Sequence, residues 1–566
     1  MAVISLIKKI ISVIIAFLFA AGIELPVGDS SVVYVNAQTG SDSAAGTFAF
    51  PVKTISQAVK LTDAKRMTVR IADGTYPETV EITKDGITVE GDGNVTVTGG
   101  DVLTGKWEKY KGHIYRTKVE NKVESVFCDG SQMLIARWPN TDYKDLCRMK
   151  RALSDEGTDM TMLVDSKLPK KLDLTGAKLT IWNGSAWVTC FREITSCKEG
   201  KSFSWEEPIR SYTDDNPEGM DCYVSHKNNY YYVSDKLELL DKAGEWYYDS
   251  ESQMLYFYAP NGRNPEKSNV SIKTRDYGFV LNGADNVTLR NINIFGCGID
   301  CHADGCTFDR VNVKCCEFFI DANMFDNVNS GKNAIYGKEN IWKNSEISDT
   351  WGSGITVFGD YNTIENCHFH DFDYAGTYYA GVNVYGTGNT VKNCTLHDTG
   401  RYNILHSGAK KLTVTGCDMY NSALLSEDLG SIYSWGTDGE GTEIAYNYVH
   451  DNKEVGIYID NNCSNYYVHD NVIKNNGIGI TLNSQLINCT VENNYLLKND
   501  RTSSTYFYEK DGPSMAGSVI RGNVYTGKWQ LVEGENAPLF ENNRLVKSAI
   551  GVKLPDREYG CDFAKK

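Results

Sequence analysis

Two aspartates in the stretch from residue 426 to 462 have the spacing of a catalytic carboxylate pair. Asp428 comes just before a short apolar strand, and Asp460 comes just after a second strand in matching phase. A glycosidase needs two carboxyl groups at one glycosidic bond, one to protonate the leaving oxygen and one to activate water or attack carbon. The alternative is structural, because an Asp beside a strand often caps backbone N–H groups in a turn. Glu427 and Glu454 are the nearest substitutes.

Polar and aromatic residues near the aspartates form a predicted substrate-binding set. His406 ends a strand one repeat before Asp428, and with Arg401 it is expected to bind sugar hydroxyls. Aromatic side chains on the two strands offer surfaces on which sugar rings can stack. With a neighbouring glutamate, the predicted set is His406, Arg401, Tyr433, Trp435, Tyr458 and Glu427.

A sequence repeat predicts how the two aspartates are brought together. Segments such as NTIENCHFHD, NTVKNCTLHD and TEIAYNYVHD recur roughly every 23 residues, and they lack the dense leucines of a leucine-rich repeat. Stacking of such segments predicts an all-β fold, a right-handed parallel β-helix with coils about 4.8 Å apart. His-Asp pairs at His370, His397 and His450 are interpreted as turn or ladder residues. Small or amide side chains at the sixth repeat position predict buried ladders: Cys367, Cys394, Cys417, Asn447, Asn471 and Asn494.

The remaining sequence predicts four units around this solenoid. Residues 1–24 are predicted to be a signal peptide, and residues 25–99 the N-terminal cap, with a helix over 54–61, and the first coils. Residues 100–271 break the repeat and predict an inserted antiparallel β subdomain, whose aromatic residues either line a glycan cleft or pack against the solenoid. Residues 272–566 are predicted to form the main parallel β-helix with closing coils.

The N-terminus predicts export. Lys8 and Lys9 precede an apolar run with small residues near its end, which is the form of a secretory signal peptide. The alternative is an uncleaved membrane anchor. We therefore expect a secreted, extracellular or cell-surface protein, monomeric and free of the membrane once the signal is removed.

Charge and cysteine usage limit the partners. The formal net charge of −16 argues against nucleic acid and against strong attraction to polyanionic glycans, although a local basic groove would change the second point. The 16 cysteines lack the paired CxxC spacing of zinc sites, so no metal or cofactor is expected. A cysteine cluster can hold buried thiols, a disulfide or, less readily, a metal: Cys297, Cys301, Cys306, Cys315 and Cys316.

Several motifs occur in an order that carries a family resemblance. They are VVYVN, TISQAV, IARWPN, GEWYYD, EDLGSIYSWG and GIYIDNN. In this respect the chain resembles the parallel β-helix enzymes of glycoside hydrolase family 141, in the pectate-lyase-like superfamily, a group that includes an α-L-fucosidase and xylanases. The resemblance implies a secreted glycosidase with Asp428 and Asp460 as its acid and base. Relatives often have Asp-Asp after the second strand, whereas this chain has Asp460-Asn461.

Three functions fit these observations. The first is a glycoside hydrolase acting on a plant or host polysaccharide or oligosaccharide. The second is a polysaccharide lyase, which needs Ca²⁺ or a basic residue to neutralise a uronate. The third is a non-catalytic glycan-binding protein or adhesin, for which the aspartates would be dispensable.

Overall fold

A solenoid of stacked parallel strands forms most of the molecule. The computed structural model describes residues 28–209, 223–318, 331–504 and 514–564. One wall of the solenoid is a parallel sheet with one strand from each successive coil. Within the described residues its eleven strands are Val80–Ile82, Tyr277–Asn282, Gly298–His302, Ala334–Ile335, Ile355–Val357, Ala380–Val384, Tyr402–Leu405, Gly430–Ser434, Val455–Ile459, Ile478–Leu482 and Arg501–Ser504.

The other two walls are continuous with each other through long strands that bend from one wall to the next. All of their pairings are parallel, and each coil pairs with the coil before it and the coil after it. Over the described ranges the strands are Val32–Val35, Thr68–Tyr76, Thr88–Thr98, Thr288–Phe295, Thr307–Lys314, Ile341–Lys343, Glu346–Thr350, Thr363–Glu365, His368–Phe372, Thr390–Lys392, Thr395–Thr399, Thr413–Thr415, Asp418–Tyr420, Asp438–Ala445, Tyr448–His450, Ser464–His469, Val472–Lys474, Thr490–Glu492, Tyr495–Leu497, Val519–Arg521, Val524–Tyr525, Leu539–Glu541 and Arg544–Leu545.

The core is a set of apolar rows that run along the solenoid axis. Ile404, Ile432, Ile457 and Ile480 stack on one another through the strand register, one residue per coil. All four are fully buried. Because side chains alternate along a strand, the residues next to these isoleucines point outward and are free to build a surface site. The all-β solenoid predicted from the repeat is confirmed.

Buried asparagines form the predicted ladder inside one corner of the coils. The amide Nδ2 of Asn471 donates to Asn494 Oδ1 at 3.0 Å and to the Ile444 carbonyl at 2.8 Å. Its Oδ1 accepts from both the backbone N–H and the Nδ2 of Asn447, each at 3.0 Å. The cysteines at this position on earlier coils are buried, and every cysteine in the described ranges is a free thiol. The ladder satisfies the backbone polar groups of the turn without water.

Replacing Asn471 by Ala is expected to destabilise the solenoid. The change removes the partner of the Asn447 backbone N–H, the side-chain amide partner of the Ile444 carbonyl and one of the two bonds of Asn447 Nδ2, at a cost of roughly 3 kcal/mol in the free energy of unfolding. Urea denaturation of the Asn471→Ala variant measures this loss. Asn269→Ala, at an exposed position, is the control and should change stability by less than about 0.5 kcal/mol. An equal effect of the two substitutions would contradict the ladder's role.

A short helix lies beside the first coils. It is the one α-helix of the described residues, Ile55–Leu61, and Thr54 caps it by accepting from the Gln57 N–H at 3.2 Å. The buried Ile55, Ala58 and Val59 belong to the solenoid core. The described part of the chain has no helix that is both long and apolar enough to cross a bilayer. The predicted signal peptide, residues 1–24, lies outside the described residues.

The insert is built almost entirely from antiparallel strands, as predicted. Thr88–Thr98 pairs directly with Thr288–Phe295, so the solenoid continues past the insert. Two 3₁₀ turns, Leu237–Leu239 and Pro265–Lys267, interrupt it. Its described strands are Gly100–Val102, Glu108–Lys111, Ile114–Lys118, Val126–Cys128, Ser131–Gln132, Leu134–Ile135, Arg137–Trp138, Ala152–Leu153, Met162–Val164, Lys178–Trp182, Thr189–Glu193, Ser196–Lys198, Ser202–Ser204, Tyr230–Ser234, Glu245–Asp249, Met254–Tyr258 and Val270–Lys273.

Large aromatic residues of the insert serve packing. Trp182 is fully buried in a cluster with Trp351, Tyr374 and Leu425 of the solenoid. Trp246 is buried in a separate cluster within the insert. The buried tryptophans of the insert therefore have the packing role. The Trp182 cluster holds the insert against the coils of the solenoid.

Candidate active site

The two aspartates lie on neighbouring coils at the outer face of the eleven-stranded sheet. Tyr433 and Tyr458 are paired by register on the two strands concerned. Because the isoleucine before each tyrosine faces the core, both tyrosines point outward. Asp428 precedes the first strand, and Asp460 follows the second by one residue. The two carboxyl groups therefore start from opposite edges of the same sheet wall.

A hydrogen-bonded bridge connects the two carboxylates. The Tyr458 hydroxyl donates to Asp428 Oδ1 at 3.4 Å, and it accepts from Asn483 Nδ2 at 2.7 Å. The same amide donates to Asp460 Oδ1 at 2.7 Å. These contacts limit the separation of the two carboxylate oxygens to at most about 9 Å, a range that includes the separations of both retaining and inverting glycosidases.

Three donors converge on the carboxylate of Asp460. Tyr433 donates its hydroxyl to Oδ2 at 2.6 Å, and Oδ1 accepts from Asn483 and from the Asn461 backbone N–H at 2.8 Å. The Asp460 residue is 7% exposed. An ionised carboxylate accepts hydrogen bonds at both oxygens and donates none, so this set of donors suits the anionic form.

Asp428 has a different environment, which raises the pKa of its carboxyl group. It lies in a turn with φ of 52°, a left-handed conformation that Asp tolerates better than most residues. Burial raises the pKa of Asp428, and the negative charge of Asp460 raises it further. Arg401 and the hydrogen bond from Tyr458 act in the opposite direction, but the pKa remains above its ordinary value. The environment of Asp428 therefore disfavours its anionic form.

The insert holds the turn that carries Asp428. The Glu427 backbone N–H donates to the Ala186 carbonyl at 3.1 Å. Arg401 donates from Nη1 to the Trp187 carbonyl, and the same nitrogen lies 3.5 Å from the Glu427 carbonyl. These contacts bind the turn to the insert on one side and to the preceding coil on the other, so the insert forms a wall beside the site.

The sequence of the solenoid matches a known repeat family. Residues 380–545 match the model described as the right handed beta helix region. Residues 38–122 match a second model, a protein of unknown function (DUF1565). None of the curated proteins matches the sequence.

Two solved structures share the fold over most of the chain. One is named a glycoside hydrolase, with a TM-score of 0.62 and 15% identity, covering 87% of this chain and 96% of its own. The other is described as the complex structure of XylC with xylose, with a TM-score of 0.50 and 14% identity, covering 91% of this chain and 86% of its own. At these identities the likeness shows the right-handed β-helix fold.

Two of the predicted substrate-binding residues are buried in the structure. His406 is fully buried inside the solenoid, where its ring packs near Tyr466, and neither ring nitrogen has a hydrogen-bond partner. Burial lowers the pKa of His406 to about 3, so the ring is neutral. Arg401 is 2% exposed, with its guanidinium over the rings of Tyr378 and Tyr402. His406 therefore has no exposed surface to offer a sugar. Arg401 is a buried residue that contacts the turn of Asp428 through the Glu427 carbonyl.

The other predicted residues lie at or near the carboxylates. Tyr433 and Tyr458 are largely buried, with ring planes at 86°, and their hydroxyls contact the two acids. Trp435 is 55% exposed, which leaves an open indole surface. Glu427 is half-exposed and its carboxylate lies 3.6 Å from the Lys453 ammonium. The tyrosines therefore organise the acids, while Trp435 is the aromatic surface open to a ligand.

Two residues outside the predicted set belong to the site. Asn483 follows Asp460 by one coil in register, since the Asn483 N–H bonds to the Ile459 carbonyl. Alignment of GIYID with GITLN would have found it. Glu454, weighed as a substitute from sequence, has a pKa raised by burial and by the charges of Glu427 and Asp428. A third acid thus borders the pair.

Replacing Tyr458 by Phe is expected to move the pH profile of any hydrolysis at this site. The lost hydroxyl lowered the pKa of Asp428, so its removal raises that pKa further. The alkaline limb of kcat/KM then shifts to higher pH, and the rate falls about tenfold because the bridge to Asn483 is broken. The Tyr467→Phe variant loses a phenol that bonds Glu492 on another wall and should keep the wild-type profile. An unchanged alkaline limb in Tyr458→Phe would contradict a proton-donor role for Asp428.

Proposed function

We propose that this protein is a glycoside hydrolase that cleaves a polysaccharide or oligosaccharide with Asp428 and Asp460. The observation that carries the proposal is the bridge of Tyr458 and Asn483, which holds two unlike carboxyl groups together on an outer face. Enzymes that split glycosidic bonds need this inequality, one carboxyl protonated and its partner ionised.

The unequal environments assign the two roles. Asp428, with its raised pKa, protonates the glycosidic oxygen as the bond to the anomeric carbon breaks. Asp460, surrounded by donors, either attacks that carbon or takes a proton from the water that does. Tyr433 and Asn483 hold the carboxylate of Asp460 in place while charge changes on it.

The surroundings of Asp460 support a glycan as the substrate. By strand register the exposed Trp435 lies in the same outward row, one coil before Asp460. Tyr385 lies in this row two coils before Trp435, and it begins a stack of rings with Phe358 and Tyr336 at centroid distances of 5.2 and 4.8 Å. Aromatic surface of this kind suits sugar rings, so we place the glycan along the solenoid axis.

Three further observations support the proposal. The two solved structures with the same fold are named for a glycoside hydrolase and for a complex with xylose. The motifs quoted above resemble glycoside hydrolase family 141. The N-terminal residues have the form of a signal peptide, so we place the enzyme outside the cell, where polysaccharides are found.

A panel of neutral and uronate-containing glycans with two readouts tests the proposal. Hydrolysis releases reducing ends without ultraviolet absorbance, whereas a lyase produces an unsaturated, absorbing sugar and loses activity with a calcium chelator. We expect reducing ends only, and none from a variant with both aspartates changed to Asn. Absorbing product on uronate glycans would favour the lyase, and turnover absent from every glycan in the panel would favour the binding protein.

A further inference from the structure

A second group of polar side chains converges on a different wall of the solenoid from the acidic pair. His368 and His370 lie two residues apart on one strand, and the core residue Phe369 between them points inward, so both histidines face outward. Glu346 is paired in register with His368 on the preceding coil. One ligand-type atom from each of these three side chains lies within 4.8 Å of the others.

The separation of His370 and Glu346 suits two ligands of one ion. Nε2 of His370 lies 3.6 Å from Oε1 of Glu346, which is longer than a good hydrogen bond. Two ligands about 2.1 Å from a tetrahedral zinc ion lie about 3.4 Å apart. Nδ1 of His370 contacts the Asp371 carboxylate at 2.7 Å, so in the neutral ring the proton is on Nδ1 and Nε2 keeps the lone pair. This carboxylate–histidine arrangement is the usual support of a metal-binding imidazole.

His397 on the next coil fixes the third ligand. Its Nδ1 contacts the Asp398 carboxylate at 2.7 Å, so the neutral ring accepts at Nε2. Nε2 of His368 lies 2.8 Å from that atom and supplies the proton to a neutral His397. The lone pair of His368 is then on Nδ1. Each of the three side chains keeps one atom able to bind a cation.

The same wall carries histidines that show what a purely structural pair looks like. His450 contacts Asp451 with Nδ1 and Asp418 with Nε2 at 2.9 Å, so both ring nitrogens have carboxylate partners. His469 is held in the same way between Asp470 and Glu443. The interpretation of the His-Asp pairs as turn or ladder residues fits His450, and His469, which lies outside the predicted pairs, has the same arrangement. His370 differs from these two rings. Its Nε2 lies 3.6 Å from the Glu346 carboxylate, longer than the 2.9 Å contacts of His450 and His469, and the imidazole of His368 lies beside it.

We propose that Glu346, His368 and His370 bind a divalent transition metal ion of the zinc class. Two imidazoles and one carboxylate are ligands that such ions accept, with a fourth position left for water or another ligand. The sequence indicated no metal because the cysteines lack paired spacing, but these ligands are histidine and glutamate from two coils. A bound ion links the two coils and stabilises that part of the solenoid by mass action.

Zinc titration of the chelator-treated full chain, followed by calorimetry and thermal unfolding, tests this site. The expected result is one ion per chain and a Tm that rises with zinc. His370→Gln and Glu346→Gln should each weaken binding at least about tenfold and abolish the rise in Tm. His450→Gln, on the same wall, should bind zinc as the wild type does.

The zinc-free Tm of each variant shows that it is folded, and Glu346→Gln changes only one surface atom. Equal zinc affinity in wild type, His370→Gln and Glu346→Gln would overturn the site, as would a wild-type chain that binds no zinc. A loss of zinc affinity in His450→Gln as large as that in His370→Gln would also overturn the site, because zinc would then bind to histidines scattered over the surface.

Discussion

Asp460→Asn is expected to lower kcat/KM for glycan hydrolysis at least about 1,000-fold, a loss of about 4 kcal/mol in transition-state stabilisation. An amide can neither attack the anomeric carbon nor take a proton from water, so substrates of every leaving group should be affected. The new side chain keeps the local hydrogen bonds. Its oxygen accepts from Asn483 and Asn461, and its amide nitrogen donates to the Tyr433 hydroxyl.

The loss therefore belongs to the chemistry, and the Tm of the variant should stay close to that of the wild type. Asp438→Asn is the matched control, because Asp438 is an exposed aspartate at the start of the strand Asp438–Ala445, between the two strands of the site, where it accepts from Asn465 and Glu440. It should retain full activity. A variant at position 460 with more than a tenth of the wild-type kcat/KM would show that this carboxylate does not react.

Asp428→Asn is expected to lower kcat/KM on natural glycans by about 100- to 10,000-fold, the usual contribution of a general acid. The loss should depend on the leaving group, because an activated aryl glycoside departs without protonation. On such a substrate the variant should approach the wild-type rate of bond cleavage. The alkaline limb of the pH profile, set by the raised pKa of Asp428, should also disappear.

The same substitution changes how stability depends on pH. The folded pKa of Asp428 lies above its unfolded value, so the stability that its proton contributes is present below the unfolded pKa. It is lost as pH rises through the folded pKa. The Asn variant should lack this loss, and urea denaturation across that window measures the difference. Equal losses of activity on natural and activated substrates would contradict the role of acid.

Most of the fold could be predicted from the sequence repeat. The asparagines at Asn447, Asn471 and Asn494 predicted a buried ladder, and their amides are hydrogen-bonded from coil to coil. The period fixed which strands stack, and thus that the coils of Asp428 and Asp460 are neighbours. Turn and loop geometry is less constrained by pattern, because it depends on contacts with the distant insert, such as that of Glu427 with Ala186.

The site was predicted less completely, because the residue types alone do not tell where each side chain points. His406 follows the core residue Ile404 by two positions, so the alternation of a strand turns its side chain inward. The sequence predicts surfaces for sugar stacking at Tyr433 and Tyr458, whereas in the structure their hydroxyls contact the two aspartates. Asn483 has no motif of its own and is recognised only through its register with Asp460.

Cleavage of a susceptible glycan in ¹⁸O-labelled water is the most direct measurement of the central claim that Asp428 and Asp460 hydrolyse a glycosidic bond. The account predicts, by mass spectrometry, one ¹⁸O atom on the anomeric carbon of the new reducing end from the wild type, and none in the other product, which keeps the glycosidic oxygen. It predicts no labelled product from the Asp428→Asn, Asp460→Asn double variant. A new reducing end that forms without the label, or labelled product at wild-type rate from the double variant, would contradict it.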